Sequence, residues 1–312
     1  MEIVVSSLII VACIVALAKG SSILVDSAVK IAHWLNIPTM VIGLTIVAFG
    51  TSAPEFSVTL QAAVKNMSNI SVGNIVGSNI FNLGFILGGT AMIRTLYSDK
   101  KSVYRDGLFL LGGTIILTVL IWDLSISRVG GIVLFGLLIV YIIYLFLRKY
   151  DKPVDVPETE RKKVYWYDFL LFFLGLGMII AGGHFLVEYS VKIARIAGLS
   201  EWVIGVTIVA FGTSAPELAT SITAAVKGHH GISVGNLIGS DIFNVFGVLG
   251  LTAILNNLTV EVGARSNLLV LIGMVILVII FMRTQWKISG WEGAVLILIG
   301  LLRWFYSFYF GT

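Results

Sequence analysis

Apolar runs of about 20 residues follow one another along nearly the whole chain, separated by short polar breaks. That is the pattern of helices that cross a membrane. Ten such helices are predicted, centred near residues 12, 52, 82, 113, 139, 174, 214, 244, 273 and 299. The first run starts at Ile3 with no basic stretch before it, and is expected to be a retained span rather than a cleaved signal. The clearly polar segment is RKYDKPVDVPETERKK, Arg148–Lys163, which carries two prolines and mixed charge and reads as a linker.

The pattern occurs twice. Adding 162 to a residue number maps VIGLTIVAFGTSAPE, ending at Glu55, onto VIGVTIVAFGTSAPE, ending at Glu217. The same offset maps SVGNIVGSNIFN (Ser71–Asn82) onto SVGNLIGSDIFN (Ser233–Asn244). The expected units are a first five-helix repeat over 1–148 with its motif at 43–82, a linker over 149–163, and a second five-helix repeat over 164–312 with its motif at 205–244. Five is odd, so the halves enter the membrane from opposite sides. The fold class read from the pattern is therefore an all-α integral membrane protein of ten transmembrane helices in two inverted repeats, an arrangement common in secondary transporters.

Charge orients this arrangement. With ten spans, 14 Lys and Arg residues fall on the side of the central linker and 5 on the other. The linker is then expected in the cytoplasm and the N-terminus outside, in a cell membrane. Composition agrees, with 57% hydrophobic and 12% charged residues, against about a quarter charged in a soluble domain. The basic residues cluster between spans, which points to membrane orientation and not to nucleic acid. The lone cysteine, Cys13, excludes an intrachain disulfide.

Within this apolar background, GTSAPE places Pro54 and Glu55, and again Pro216 and Glu217, at mid-span. A proline lacks the N–H and clashes with the carbonyl four residues back. Carbonyls around Ala48–Thr51 are therefore expected to be freed, which lipid does not tolerate unless they line a cavity or bind something. Thr51, Ser52 and Glu55 can share a face, as can Thr213, Ser214 and Glu217. Ser78 and Asn82 lie one turn apart, as do Ser240 and Asn244, and Gly73/Gly77 and Gly235/Gly239 form small-xxx-small pairs expected to let helices approach closely. Together these residues predict a cage of oxygen ligands without sulfur or imidazole, suited to Ca²⁺ and Na⁺. A carboxylate at the membrane centre costs about 2.5–3.5 kcal/mol, so cations or protons must neutralise this pair. Asp241 replaces Asn79 of the first copy and is a further candidate for a cation or a proton. No histidine or lysine in the motif helices can activate Ser52 or Ser214 as nucleophile, so no enzymatic activity is expected.

Two copies of GTSAPE, each followed by GNxxGSxIFN, resemble the α-repeats of the cation/calcium antiporter superfamily, in particular its compact prokaryotic sodium/calcium exchanger branch. The resemblance covers both halves. It implies cation ligands at Ala48 (carbonyl), Thr51, Ser52, Glu55, Ser78 and Asn82, and at Ala210 (carbonyl), Thr213, Ser214, Glu217, Ser240 and Asn244. It also implies alternating access, with the first and sixth helices sliding over the other eight. Both motif copies read GTSAPE, unlike the GNxxE typical of proton-coupled members, which favours sodium. Some potassium-dependent members carry Asp at the position of Asn82 or Asn244; here both are Asn. The expected activity is Na⁺/Ca²⁺ exchange in the sense of Ca²⁺ extrusion, with Ca²⁺/H⁺ or K⁺-dependent exchange, or a cation channel, as alternatives. The expected partners are Ca²⁺, Na⁺ and the lipid bilayer, with no cofactor, and a monomer supplies both halves.

Overall fold

A computed structural model describes residues 2–100, 103–148, 164–198 and 208–310. The predicted linker 149–163 and the start of the second motif, 205–207, lie outside the described residues. The helices are α1 (Glu2–Leu35), α2 (Thr39–Thr51), α3 (Ala53–Val64), α4 (Ser68–Ile93), α5 (Val103–Leu120), α6 (Arg128–Leu147), α7 (Trp166–Ile196), α8 (Ala210–Thr213), α9 (Ala215–Val226), α10 (His230–Leu255), α11 (Gly263–Arg283) and α12 (Gly290–Phe310). Among the described residues, seven of these are long and apolar enough to cross a membrane, or eight when α2 and α3, bent by 47°, count as one broken span. The chain is thus a multi-pass helical membrane protein. Large apolar side chains cover its outer surface, as Leu147 and Trp166 do, at 79% and 76% exposed. Such a surface is stable against hydrocarbon and not against water.

The 162-residue offset reappears in the architecture. The short strands β1 (Leu96–Tyr97), β2 (Ser125–Ile126), β3 (Leu258–Thr259) and β4 (Lys287–Ile288) pair antiparallel as β1–β4 and β2–β3. Each pair is the image of the other under the offset, and each joins the two halves.

The enclosed centre is formed by α4 and α10, whose apolar windows are the most buried of the spans. On the periphery, α1 and α7 run 34 and 31 residues, long enough to cross at a tilt. They touch through glycine. A Cβ on Gly20 would lie 2.9 Å from the Gly175 carbonyl oxygen, and one on Gly175 would lie 2.7 Å from the Leu24 nitrogen. Small residues let two backbones meet this closely in lipid, where packing replaces the hydrophobic effect as the force between helices.

Several helices contain π turns, at Gly43–Val47 in α2, Asn82–Leu87 in α4, Val103–Gly107 in α5 and Phe243–Val248 in α10. A π turn inserts one residue into the ladder and re-aims the side chains beyond it, and such bulges gather at functional sites. Asn82 and Asn244 both stand at the start of one.

Candidate cation-binding site

Each GTSAPE motif breaks its helix at the serine. Ser52 has φ −80° and ψ 7°, and Ser214 has φ −89° and ψ 8°. A new helix begins with the alanine, so the proline falls in the first turn and the glutamate follows it directly. In that turn the missing proline N–H is no loss, and the exposed N–H groups favour a carboxylate. The carbonyls are less bare than the sequence predicts. Ala48 O accepts the Ser52 N–H at 3.0 Å and lies 3.3 Å from Thr51 Oγ1. The ordinary helical bond to Ala48 O is kept at the serine and Gly50 O accepts a backbone N–H at the cap, so the break is not left open. Ala210, its counterpart, begins the described part of α8.

The hydroxyls do not serve the glutamate of their own motif. Ser52 Oγ donates to Glu217 Oε1 and Ser214 Oγ donates to Glu55 Oε1, each at 3.0 Å. Ser240 Oγ adds a 3.3 Å bond to Glu217 Oε1 and lies 3.4 Å from Thr51 Oγ1. Thr51 Oγ1 also reaches Asn236 Oδ1 at 3.0 Å. The asparagines cross over as well: Asn82 Nδ2 donates to Asp241 Oδ1 at 3.0 Å, and Asn244 Nδ2 to Asn79 Oδ1 at 2.9 Å. Both glutamates and Asp241 are fully buried, and Thr213 is 5% exposed. Most of the predicted residues thus form one interlocked cluster across the two halves. Ser78 is placed differently: it lines a cavity beside the cluster.

Five buried oxygens in the cluster receive no hydrogen bond: Glu55 Oε2, Glu217 Oε2, Asn82 Oδ1, Asn244 Oδ1 and Asp241 Oδ2. All five are acceptors. An unsatisfied buried polar atom costs about 1–3 kcal/mol, more when charged, and no lysine or arginine among the described residues pairs with these acids. A convergent set of unmatched acceptor oxygens is what a hard cation requires. Among the described residues no group of three or more His, Cys, Asp and Glu is placed to hold a metal. Neutral amide and hydroxyl oxygens must therefore complete any coordination.

A second layer was missed in the sequence. Asn74 Nδ2 donates to Thr59 Oγ1 (3.0 Å) and Glu55 O (3.3 Å), and Asn236 Nδ2 donates to Ser221 Oγ at 3.1 Å. Asn79 Nδ2 holds the Asp241 carbonyl at 3.2 Å. The signal lay in the SVGN repeats, where each asparagine precedes the serine by four residues.

The glycine pairs of the two halves have different described surroundings. Gly235 and Gly239 pack tightly on α2, as the sequence predicts, with a Cβ on Gly239 falling 2.7 Å from Ala48 Cβ and from Leu44 Cα. Gly73 and Gly77 are exposed instead, and nothing among the described residues stands within 4 Å of a Cβ there. They line a cavity of about 1220 Å³ that reaches Ser78, Val187 and Phe211.

Comparison with known proteins agrees with this geometry. The model of the sodium/calcium exchanger protein family matches residues 5–147 and again 167–308. The sodium/calcium exchanger MaX1 of Methanosarcina acetivorans is 32% identical over 340 residues, covering 95% of this chain and 96% of its own. The putative antiporter CaxA of Alkalimonas amylolytica is 32% identical over 305 residues, covering 94% and 96%. The solved structure of the sodium-calcium exchanger NCX_Mj soaked with zero Na⁺ and Ca²⁺ superposes with a TM-score of 0.85 at 31% identity, covering 96% of this chain and 98% of that one. The chain belongs to the sodium/calcium exchanger protein family.

Proposed function

We propose that this protein is a secondary antiporter that exchanges Na⁺ for Ca²⁺ at the cluster around Glu55 and Glu217, in the direction of Ca²⁺ extrusion. The observation that carries the reading is the set of five unmatched, buried acceptor oxygens, three of them on carboxyl groups. One Ca²⁺ or two Na⁺ balance the two glutamates, and the two ions therefore compete for the same oxygens. An empty site would carry bare carboxylates past an apolar barrier, so the protein changes state when loaded and exchanges rather than leaks. The ligands are Thr51, Ser52, Glu55, Ser78 and Asn82 with their counterparts Thr213, Ser214, Glu217, Ser240 and Asn244, together with the carbonyls of Ala48 and Ala210. Asp241 adds a third carboxyl group and holds a further monovalent cation or a proton.

The architecture we propose is ten spans in two inverted five-helix repeats, 1–148 and 164–312, with the N-terminus outside and the 149–163 linker in the cytoplasm. The doubled family match and the mirrored β bridges support it. In this topology α4 enters from outside, so the cavity along Gly73, Gly77 and Ser78 opens outward while the packed α2–α10 contact closes the inner side. Alternating access then consists of exchanging these two conditions between the halves, with α1 and α7 sliding as a glycine-joined pair. Ca²⁺ flux into proteoliposomes under an imposed Na⁺ gradient tests the proposal. Ca²⁺ movement driven by Na⁺ is expected; movement driven only by a proton gradient would replace sodium with protons as the coupling ion.

A further inference from the structure

The offset of 162 continues into α5 and α6, whose counterparts are α11 and α12, and in one place the halves part. In the first half Asp106 is fully buried. Its carboxylate takes the guanidinium of Arg105 (Nη2 to Oδ2, 2.7 Å) and the hydroxyl of Tyr141 (2.7 Å). The counterparts of Arg105, Asp106 and Tyr141 are Asn267, Leu268 and Arg303. The second half therefore keeps a cation but has lost the acid: Leu268, fully buried, stands where the carboxylate would be.

Arg303 is left short of partners. Its Nη1 is buried without a hydrogen bond, and the guanidinium rests 5.9 Å over the Tyr306 ring. The Oδ1 of Asn267 is likewise buried and receives no donor. Both residues line the cavity of about 1220 Å³, as do Phe85, Leu301 and Trp304. Glu261 also lines it, but its Oε1 is held by Asn69 Nδ2 at 2.7 Å. Arg303 sits thirteen residues into α12, about 20 Å along the helix, at a depth where an arginine without a counter-charge is costly. Leu301 and Leu302 beside it are exposed, and with Phe85 and Trp304 in the cavity lining they offer an apolar surface suited to hydrocarbon.

We propose that this cavity binds an anionic phospholipid. Its phosphate takes the guanidinium of Arg303, its headgroup lies against the Asn267 side chain, and an acyl chain lies along Phe85, Leu301 and Trp304. The lipid phosphate supplies in the second half the negative charge that Asp106 supplies in the first. Arginine suits this task because it pairs with phosphate by directed, charge-assisted hydrogen bonds.

Native mass spectrometry of the purified protein, titrated with phosphatidylglycerol or phosphatidylcholine, tests the assignment. Phosphatidylglycerol is expected to bind in preference, and Arg303→Gln to weaken it about tenfold, the size of one charge-assisted hydrogen bond. Leu268→Asp, which installs the missing acid beside Arg303, should produce the same loss, and Arg303→Lys should retain most of the binding. Phosphatidylglycerol binding unchanged in Arg303→Gln or in Leu268→Asp would overturn the proposal. So would equal binding of phosphatidylcholine, or displacement of the lipid by millimolar glycerol phosphate, which would make the site one for free phosphate. Ca²⁺ binding by these variants is expected to match the wild type, so lipid binding and ion exchange can fail separately.

Discussion

The unequal packing of the glycine pairs gives a direct handle on the transport cycle. Gly239→Ala would place a Cβ 2.7 Å from Ala48 Cβ, Leu44 Cα and the Leu44 carbonyl oxygen. Two of these three atoms belong to backbone, so the strain cannot be relieved by a side-chain rotation. Overpacking of this kind costs about 1–3 kcal/mol, which shifts a two-state equilibrium about 5–150-fold. The described conformation alone bears that cost if the α2–α10 contact opens in the opposite state. Under the 162-residue offset Gly77 is the counterpart of Gly239, and it is exposed in the described conformation, so Gly77→Ala should burden the opposite state. The assay is labelling of Ala264→Cys, in the cavity wall, by a membrane-impermeant maleimide in a Cys13→Ala background. Gly239→Ala should slow labelling, Gly77→Ala should preserve or quicken it, and both should slow exchange because the cycle needs both states. If both variants label and exchange like the parent, the glycine contacts do not distinguish the two states and the proposed alternation is wrong.

Three further outcomes follow from single contacts. Ser214→Ala and Ser52→Ala each remove a hydroxyl donor from the glutamate of the other motif; Ca²⁺ half-saturation in flux assays should rise in both, and an unchanged value in either would contradict the geometry. Asp241→Asn keeps an acceptor for Asn82 but removes one charge, so the Na⁺ dependence of exchange should become less steep while Ca²⁺ binding persists; an unchanged Na⁺ dependence would remove Asp241 from the ion path. Gly20→Val must separate α1 from α7, and should lower the thermal midpoint by several degrees, whereas Gly177→Ala, whose Cβ would meet nothing within 4 Å among the described residues, should not; equal midpoints would refute the close crossing.

How much of this was legible in the residues follows from the range of each interaction. The duplicated GTSAPE and its offset reveal the acids and the paired halves, because those rest on local composition and on counting. The exchange of hydroxyls between motifs could not be read: Ser52 lies three residues from Glu55 in the chain, yet bonds Glu217, 165 positions away. The π turns that begin at Asn82 and at Phe243 were equally hidden, since a one-residue shift in the hydrogen-bond ladder has no composition of its own. The proline motif is half legible for a related reason: the helix does break there, by 47°, but at Ser52, so that Pro54 falls in the first turn of α3. Identical Gly-xxx-Gly patterns that meet different surroundings show a further limit. Which of two identical glycine pairs meets a packed helix is set by the rest of the fold and not by the pattern itself.

The central claim is that Glu55 and Glu217 hold a single exchangeable cation site between the halves. Calorimetric titration of the purified protein with Ca²⁺, repeated in rising Na⁺, tests it most directly. The account predicts saturable Ca²⁺ binding that Na⁺ displaces competitively, and loss of that binding in both Glu55→Gln and Glu217→Gln. Ca²⁺ binding that survives in either variant, or that Na⁺ leaves untouched, would contradict it.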